Sequence, residues 1–180
     1  MKGIYRFLFF LLPILIVGSA FKMRQSYPEQ IAWDSHFIGE ADEHSPYAAL
    51  TTTIWQYSYQ ARTKGKQLHI DFKFVAGVDR EKSWVKHYRI RNKEVNKQLL
   101  NHEQGHVDIN FILLKQGELT LRNQNYTVNN YKNLIQLNAK KISKHFSDLQ
   151  SRYDKETKHG ADLAAQKVWD NYIRAEMKKY

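Results

Sequence analysis

The chain has 180 residues, no cysteine and a formal net charge of +10. This length accommodates one domain with a real core and is too short for two comfortable ones. Without cysteine, a disulfide framework and a lipid-modified cysteine are both excluded. The lysine and arginine residues are scattered, and no basic tract interleaved with aromatic residues stands out. We therefore expect a solvated basic surface and no nucleic-acid partner.

The first 20 residues have the order of a secretory signal peptide. A basic start is followed by an apolar run over residues 7–17 and by the small residues GSA at positions 18–20. The run is shorter than the roughly 20 residues that a membrane-spanning helix needs, and Pro13 interrupts it. We predict a signal peptide at residues 1–20, with an uncleaved membrane anchor as the alternative. One domain at residues 21–180 would then work in the periplasm or outside the cell.

The first half of this domain predicts strands. Residues 68–75 (LHIDFKFV) alternate between apolar and polar side chains, and residues 49–59 (ALTTTIWQYSY) are rich in β-branched and aromatic side chains. The segment TKGKQ between them predicts a hairpin turn. Residues 83–90 (SWVKHYRI) fit either a third strand or a loop.

The second half predicts three helices. Asn92 can cap the first helix, whose apolar pattern continues to about Leu121, and residues 122–130 (RNQNYTVNN) interrupt it. Strands followed by helices predict an α+β fold, with antiparallel strands packed on about three helices. Two further apolar stripes mark the later helices: Tyr131, Ile135, Asn138, Ile142, Phe146, Leu149 and Tyr153, and then Leu163, Ala164, Val168, Trp169 and Tyr172.

The first helix carries two histidines within its apolar stripe, in the stretch LLNHEQGHVDIN (residues 99–110). His102 and His106 are four residues apart, about 40° around the helix axis, so both rings point the same way. A lone core histidine usually needs only one hydrogen-bond partner, whereas two in one stripe are satisfied together by a shared Zn²⁺. Glu103 completes the HExxH pattern, and it flanks the metal position where a general base can take a proton from water.

A catalytic zinc needs a third protein ligand and one open position for water. The downstream candidates are His145, His159, Glu118 and Glu156. His145 lies on a lysine-rich helix flank, whereas His159 lies in YDKETKHGAD, which we predict to be an irregular segment between two helices. Gly160 frees the backbone at this turn, and Thr157 can cap the helix that follows. We rank His159 first, Glu156 second and His145 third.

Three further residues near the motif each have two interpretations. Gly105 lies in mid-helix at a cost of about 1 kcal/mol relative to alanine, either because a strand or substrate approaches closely or because it is simply tolerated. Asp108 lies about 200° from His106, on the far face of the helix, which favours a structural role over a metal-site role. Tyr153 could stabilise the oxyanion formed when water attacks a carbonyl, or it could be a core tyrosine.

Several motifs together resemble the bacterial predicted secreted zinc-dependent proteases, classed as domain of unknown function 922. They are WDSHF near Trp33, SWV at residues 83–85, LLNHEQGHVDI, and YDKETKHG followed by Gln166 and Trp169. The resemblance covers nearly all of the domain, and it implies zinc ligands at His102, His106 and His159, with Glu103 as the base.

We therefore predict a zincin-like metallopeptidase that uses Zn²⁺ and hydrolyses peptide bonds in a peptide or protein substrate. Its catalytic residues would be Glu103 and Tyr153, its metal ligands His102, His106 and His159, and an edge strand would hold the substrate extended. Two alternatives stay open. One is a non-catalytic zinc-binding envelope protein, and the other is a basic protein that binds an anionic polymer.

Overall fold

A computed structural model of the protein describes residues 27–180 and consists of two small antiparallel sheets followed by three long helices. In chain order the elements are α1 (Trp33–His36), β1 (Ala49–Leu50), β2 (Thr53–Lys64), β3 (Gln67–Val78), β4 (Trp84–Val85), α2 (Lys93–Arg122), α3 (Tyr131–Thr157) and α4 (Leu163–Met177). The α+β prediction is confirmed. The predicted signal peptide lies outside the described residues. Within residues 27–180, none of the helices combines the length and the apolar character needed to cross a bilayer.

The strands β2 and β3 form the predicted hairpin, with the turn at Gly65 and Lys66. Gly65 has φ +60°, a left-handed conformation that glycine adopts without steric cost. The strand predicted at residues 49–59 is divided in two, because Thr52 connects to a different segment. Its backbone N–H donates to Ser83 Oγ at 2.9 Å, and its carbonyl accepts from the N–H of Asp79 at 2.8 Å. β1 therefore leaves the hairpin and belongs to a separate sheet.

That second sheet pairs β1 with β4, Ala49 opposite Val85 and Leu50 opposite Trp84. Both interpretations of residues 83–90 are partly correct, since a two-residue strand is followed by a 3₁₀ turn at His87–Arg89. The small sheet places β1 beside the middle of α2. There β1 borders a cleft that residues of α2 also line.

The long helix α2 is the centre of the molecule. Asn92 caps it as predicted, since its side-chain oxygen accepts from the N–H groups of Glu94 and Val95 at 2.9 and 3.2 Å. The buried apolar stripe of α2 begins after the first turn of the helix. Val95, in that turn, is 43% exposed. The side chains that bury α2 against α3 and α4 are Ile109, Ile112, Leu113, Phe146, Leu149, Tyr153, Trp169 and Ile173.

The helix α3 is longer than the sequence pattern indicates, which corrects two predictions about the segment YDKETKHGAD. The helix continues to Thr157, so only the last residues of the segment form a turn. Thr157 does not cap α4, because its hydroxyl donates to the carbonyl of Tyr153 at 2.7 Å within α3. Asp162 is the cap instead, and its side chain accepts from the N–H of Ala165 at 3.1 Å.

Candidate metal centre

The HExxH residues lie in the middle of α2, where α3 and α4 pack against it. His102 is 1% exposed and Glu103 is 3% exposed, while the His106 side chain is 12% exposed. The centroids of the two imidazole rings are 4.9 Å apart, with the ring planes at 81°. The rings therefore lie side by side, as the four-residue spacing predicts.

Each of these histidines contacts a glutamine through one ring nitrogen. Nδ1 of His106 lies 2.5 Å from Oε1 of Gln150, and Nδ1 of His102 lies 3.2 Å from Oε1 of Gln166. Gln166 Nε2 donates to a carboxylate oxygen of Asp170 at 2.7 Å, so the oxygen of this amide faces His102. Because an amide oxygen only accepts, these contacts place a hydrogen on both Nδ1 atoms, and Nε2 is the ring nitrogen that could bind a metal.

Both Nε2 atoms face the same carboxylate oxygen, which belongs to Asp154 on α3. Asp154 Oδ1 lies 3.2 Å from His102 Nε2 and 2.9 Å from His106 Nε2. Burial raises the pKa of the Asp154 carboxyl, but its contacts with the two imidazoles outweigh this effect and hold the pKa well below its usual range. Burial likewise lowers the pKa of His106, and the hydrogen bond to Asp154 and the charge of Glu103 outweigh it and raise the pKa.

His159 reaches the same place from the turn after α3. Its Nδ1 lies 3.5 Å from Asp154 Oδ1, and its backbone N–H donates to the Asp154 carbonyl at 2.9 Å. The next residue, Gly160, has φ +80°, and a Cβ there would lie 2.8 Å from the Cβ of His102. Only glycine lets this turn pack so closely against the helix. Ligand atoms of His102, Asp154 and His159 all lie within 4.8 Å of one another, so this group, which does not include His106, could hold a metal ion.

Glu103 lines the same cleft as these imidazoles. Its Oε2 accepts a hydrogen bond of 2.5 Å from the Thr51 hydroxyl, which follows β1. Within residues 27–180 no lysine, arginine or histidine nitrogen forms an ion pair with this carboxylate. Glu103 is therefore a buried carboxylate that is held, among residues 27–180, by the hydroxyl of Thr51, and its charge acts on the His106 imidazole.

A cleft of about 480 Å³ opens over the site. The metal-site residues line its floor, and residues 46–51 form one wall. The N–H of Lys86 donates to the Ala48 carbonyl at 2.7 Å, and Ala49 is paired with Val85. Since hydrogen-bonding directions alternate along an antiparallel strand, the backbone groups of Ala49 and Thr51 point away from β4. Among the described strands none pairs with this edge of β1, and it borders the cleft.

Tyr153 packs behind His102 and does not line the cleft. It is fully buried, its ring stacks on that of His102 with centroids 4.7 Å apart, and its hydroxyl donates to the His102 carbonyl at 2.9 Å. Burial raises the pKa of Tyr153. This geometry corrects the oxyanion role and favours the core interpretation. It also explains Gly105, because a Cβ there would lie 2.7 Å from Tyr153 Cζ and closer still to its hydroxyl. The close neighbour of Gly105 is a side chain of α3, and neither a strand nor a substrate.

The two lower-ranked histidine and glutamate candidates lie away from the metal-site residues. Glu156 Oε2 accepts from the indole N–H of Trp169 at 2.8 Å, and His145 is exposed with its ring edge against Phe146. Neither side chain lines the cleft. Of the three ranked candidates, His159 belongs to the group of side chains that could hold a metal, and Glu156 and His145 do not.

Glu118 and Asp108 also have other partners. Glu118 lies three turns beyond His106 on α2 and accepts from Arg122 Nε at 3.1 Å. Asp108 accepts from Gln104 Nε2 at 2.8 Å, and burial raises its pKa to about 6. Asp108 therefore has a structural partner on its own helix, in agreement with the predicted far-face position.

The sequence interpretation missed Asp154 and both glutamines that contact the histidines. One signal was available, because Gln150 and Asp154 are four residues apart on α3, beside the buried positions Phe146 and Leu149. That spacing places two polar side chains on one flank of the helix, next to its apolar stripe.

A comparison with protein families assigns this chain to one of them. The family described as "Bacterial protein of unknown function (DUF922)" matches residues 26–160, and the chain belongs to this family. No curated protein and no solved structure matches the chain. The family match includes α2, α3 and the turn with His159, and it ends before α4, which supplies Gln166.

Proposed function

We propose that this DUF922 protein is a zincin-like, zinc-dependent metallopeptidase that acts outside the cytoplasm on peptide or protein substrates. The observation that carries the proposal is the convergence of His102 Nε2 and His106 Nε2 on one carboxylate oxygen of Asp154. The signal-peptide pattern of residues 1–20 supports the location. The cleft beside a free strand edge supports an extended peptide as the substrate.

The residues present fit a zinc ion. With zinc–ligand bonds of about 2.0–2.2 Å, neighbouring ligand atoms in a tetrahedral site are about 3.3 Å apart. The separations of 3.2 and 2.9 Å between the Asp154 oxygen and the two Nε2 atoms are close to this value. Two imidazoles and one carboxylate form a donor set that catalytic zinc uses. A divalent cation would also offset the charges of Asp154 and Glu103, which lie together in a mostly buried place.

We assign the third ligand to Asp154, although the resemblance implies His159. Asp154 Oδ1 lies 3.2 and 2.9 Å from the two helix histidines, whereas its distance to His159 Nδ1 is longer, at 3.5 Å. Three protein ligands leave one position open for water, as hydrolysis requires. His159 then lies at the cleft side of the metal position.

Zn²⁺ in this site would polarise the scissile carbonyl and allow water to attack near neutral pH. Glu103 would accept the proton of the attacking water and transfer it to the leaving amine. Its hydrogen bond from Thr51 holds the carboxylate at the cleft floor for this purpose. The free backbone groups of Ala49 would pair with an extended substrate, while Tyr153 would act only by supporting His102.

The test of the proposal is the metal content of the purified protein, measured by elemental analysis. We expect about one zinc per chain, and a chelator should remove it with a fall in melting temperature that added zinc reverses. Hydrolysis of fluorescein-labelled casein should disappear with the chelator and return with zinc. A protein that takes up no zinc and shows no zinc-dependent melting would end the metallopeptidase proposal.

One observation favours a second candidate, a non-catalytic zinc protein. Closed, structural zinc sites have four protein ligands. Four would be supplied here by His102, His106, Asp154 and His159. Stoichiometric zinc without casein hydrolysis, combined with strong loss of zinc on His159→Ala, would select this candidate over the peptidase.

A further inference from the structure

The ring of His159 packs against the ring of Tyr47. The ring centroids are 4.1 Å apart, and the ring planes are tilted by 37°. Both residues line the cleft, Tyr47 is 41% exposed, and the His159 side chain is also 41% exposed. An aromatic pair at the opening of a polar site requires an explanation, because neither ring is there to fill the core.

The backbone at His159 gives one part of that explanation. Lys158 and His159 have φ values of +50° and +53°, in the left-handed region that residues with a Cβ seldom adopt. Such conformations cost about 1–3 kcal/mol each and persist only where surrounding contacts determine them. Besides the contact with Asp154 at 3.5 Å, the nearest aromatic contact of the imidazole is Tyr47.

The segment that carries Tyr47 is itself fixed by residues that follow β4. Lys86 is buried, and its Nζ donates to the Ser45 carbonyl at 2.7 Å. Arg89 Nη1 donates to the Pro46 carbonyl at 2.5 Å. These two bonds hold the backbone immediately before Tyr47. Within residues 27–180 the Tyr47 hydroxyl has no hydrogen-bond partner, so the ring is the part that makes the contact.

We propose that Tyr47 is a positioning residue that fixes the His159 imidazole beside the metal position, so that His159 faces the substrate. Nδ1 of His159 points towards Asp154, and Nε2 has no partner within residues 27–180, so Nε2 is available for a hydrogen bond with the substrate. This role towards the substrate rests on the proposed function, whereas the ring contact does not.

The ring contact is tested by proton NMR of the histidine side chains, in the zinc-free and the zinc-loaded protein. The Tyr47 ring should shift the His159 resonances upfield. Tyr47→Leu should remove that shift, and Tyr47→Phe should keep it. His69, on the hairpin, is the internal control, and Tyr172→Leu is the matched variant, since Tyr172 is 39% exposed and does not line the cleft. A His159 resonance that is unchanged in Tyr47→Leu would overturn the inference.

The role of the pair is tested by kinetics and zinc binding together. On labelled casein, His159→Ala should lower the rate about 100-fold and Tyr47→Leu about tenfold, because the imidazole is then present but poorly oriented. Tyr47→Phe should hydrolyse casein at about the wild-type rate. Zinc affinity should stay within about threefold in all three variants, because none of them removes a proposed ligand.

A double variant separates positioning from a general structural effect. In a His159→Ala background, Tyr47→Leu should cause no further loss of rate, because its effect passes through His159. An equal tenfold loss in both backgrounds, or a Tyr47→Phe variant as slow as Tyr47→Leu, would overturn the positioning role. If the wild-type protein takes up no zinc, the proposed function fails, and the NMR result still decides whether Tyr47 orients His159.

Discussion

Replacing Gly105 with alanine tests the packing on which the proposed metal site depends. Gly105 lies between His102 and His106, and the side chain opposite it is Tyr153. A Cβ at Gly105 would lie 2.7 Å from Tyr153 Cζ and even closer to the tyrosine oxygen. Tyr153 cannot move easily, since it is fully buried, stacks on His102 and donates to the His102 carbonyl.

Two opposing effects decide whether Gly105→Ala raises or lowers the free energy of unfolding. Alanine in place of glycine in a helix interior stabilises by about 1 kcal/mol. Overpacking a rigid site costs about 1–3 kcal/mol, and contacts this short place Gly105→Ala in the upper part of that range. We expect a net loss of about 1–2 kcal/mol in the free energy of unfolding. For a protein of this size that lowers the melting temperature by about 2–8 °C.

Thermal unfolding followed by circular dichroism measures this change in the zinc-free protein. Gly77→Ala is the control, because the nearest atom to a Cβ there is Glu29 Oε2 at an ordinary 3.5 Å. Alanine in that strand should be neutral or stabilise by up to about 1 kcal/mol. A melting temperature for Gly105→Ala equal to or above that of the wild type would refute the close approach of Tyr153.

Three further predictions concern the metal site directly. Glu103→Gln should keep zinc and fold while casein hydrolysis falls at least 100-fold, and loss of zinc instead would make Glu103 a ligand. Gln166→Leu removes the acceptor for His102 Nδ1 and should weaken zinc binding by about 10–100-fold in a competition titration with a chromophoric chelator. In the same titration Asp154→Ala should weaken zinc binding more than any other variant, and His145→Ala should leave it nearly unchanged. Equal affinities for these last two variants would show that the third ligand is misassigned.

The parts of the structure that follow from local sequence were predicted well. The cap at Asn92, the hairpin turn at Gly65 and the side-by-side histidines each depend on residues a few positions apart. The end of α3 was predicted too early, because polar residues after Tyr153 hide a helix that continues to Thr157. Apolar periodicity reports which face is buried, and it does not report where a polar helix end stops.

The proposed third ligand, Asp154, could not be predicted in the same way, because its position depends on how two helices are aligned. His106 meets Gln150, whereas His102, four residues earlier, meets Asp154 and lies 3.4 Å from the Thr157 hydroxyl. Residue numbers thus rise along α2 as they fall along α3, which is the pattern of antiparallel helices. A shift of one residue in this alignment would rotate α3 by about 100° and turn Asp154 away from the imidazoles.

Gly105 is one of the residues that set the alignment, because its missing side chain lets Tyr153 approach α2 between the two histidines. Once Tyr153 is placed there, Asp154 follows it on α3 and faces both Nε2 atoms. The glycine inside the HExxH motif therefore helps to bring the Asp154 carboxylate to the two histidines. Gly105 thus affects both the packing of the helices and the proposed ligand set. Gly105→Ala, which adds one methyl group, should therefore weaken both folding and zinc binding.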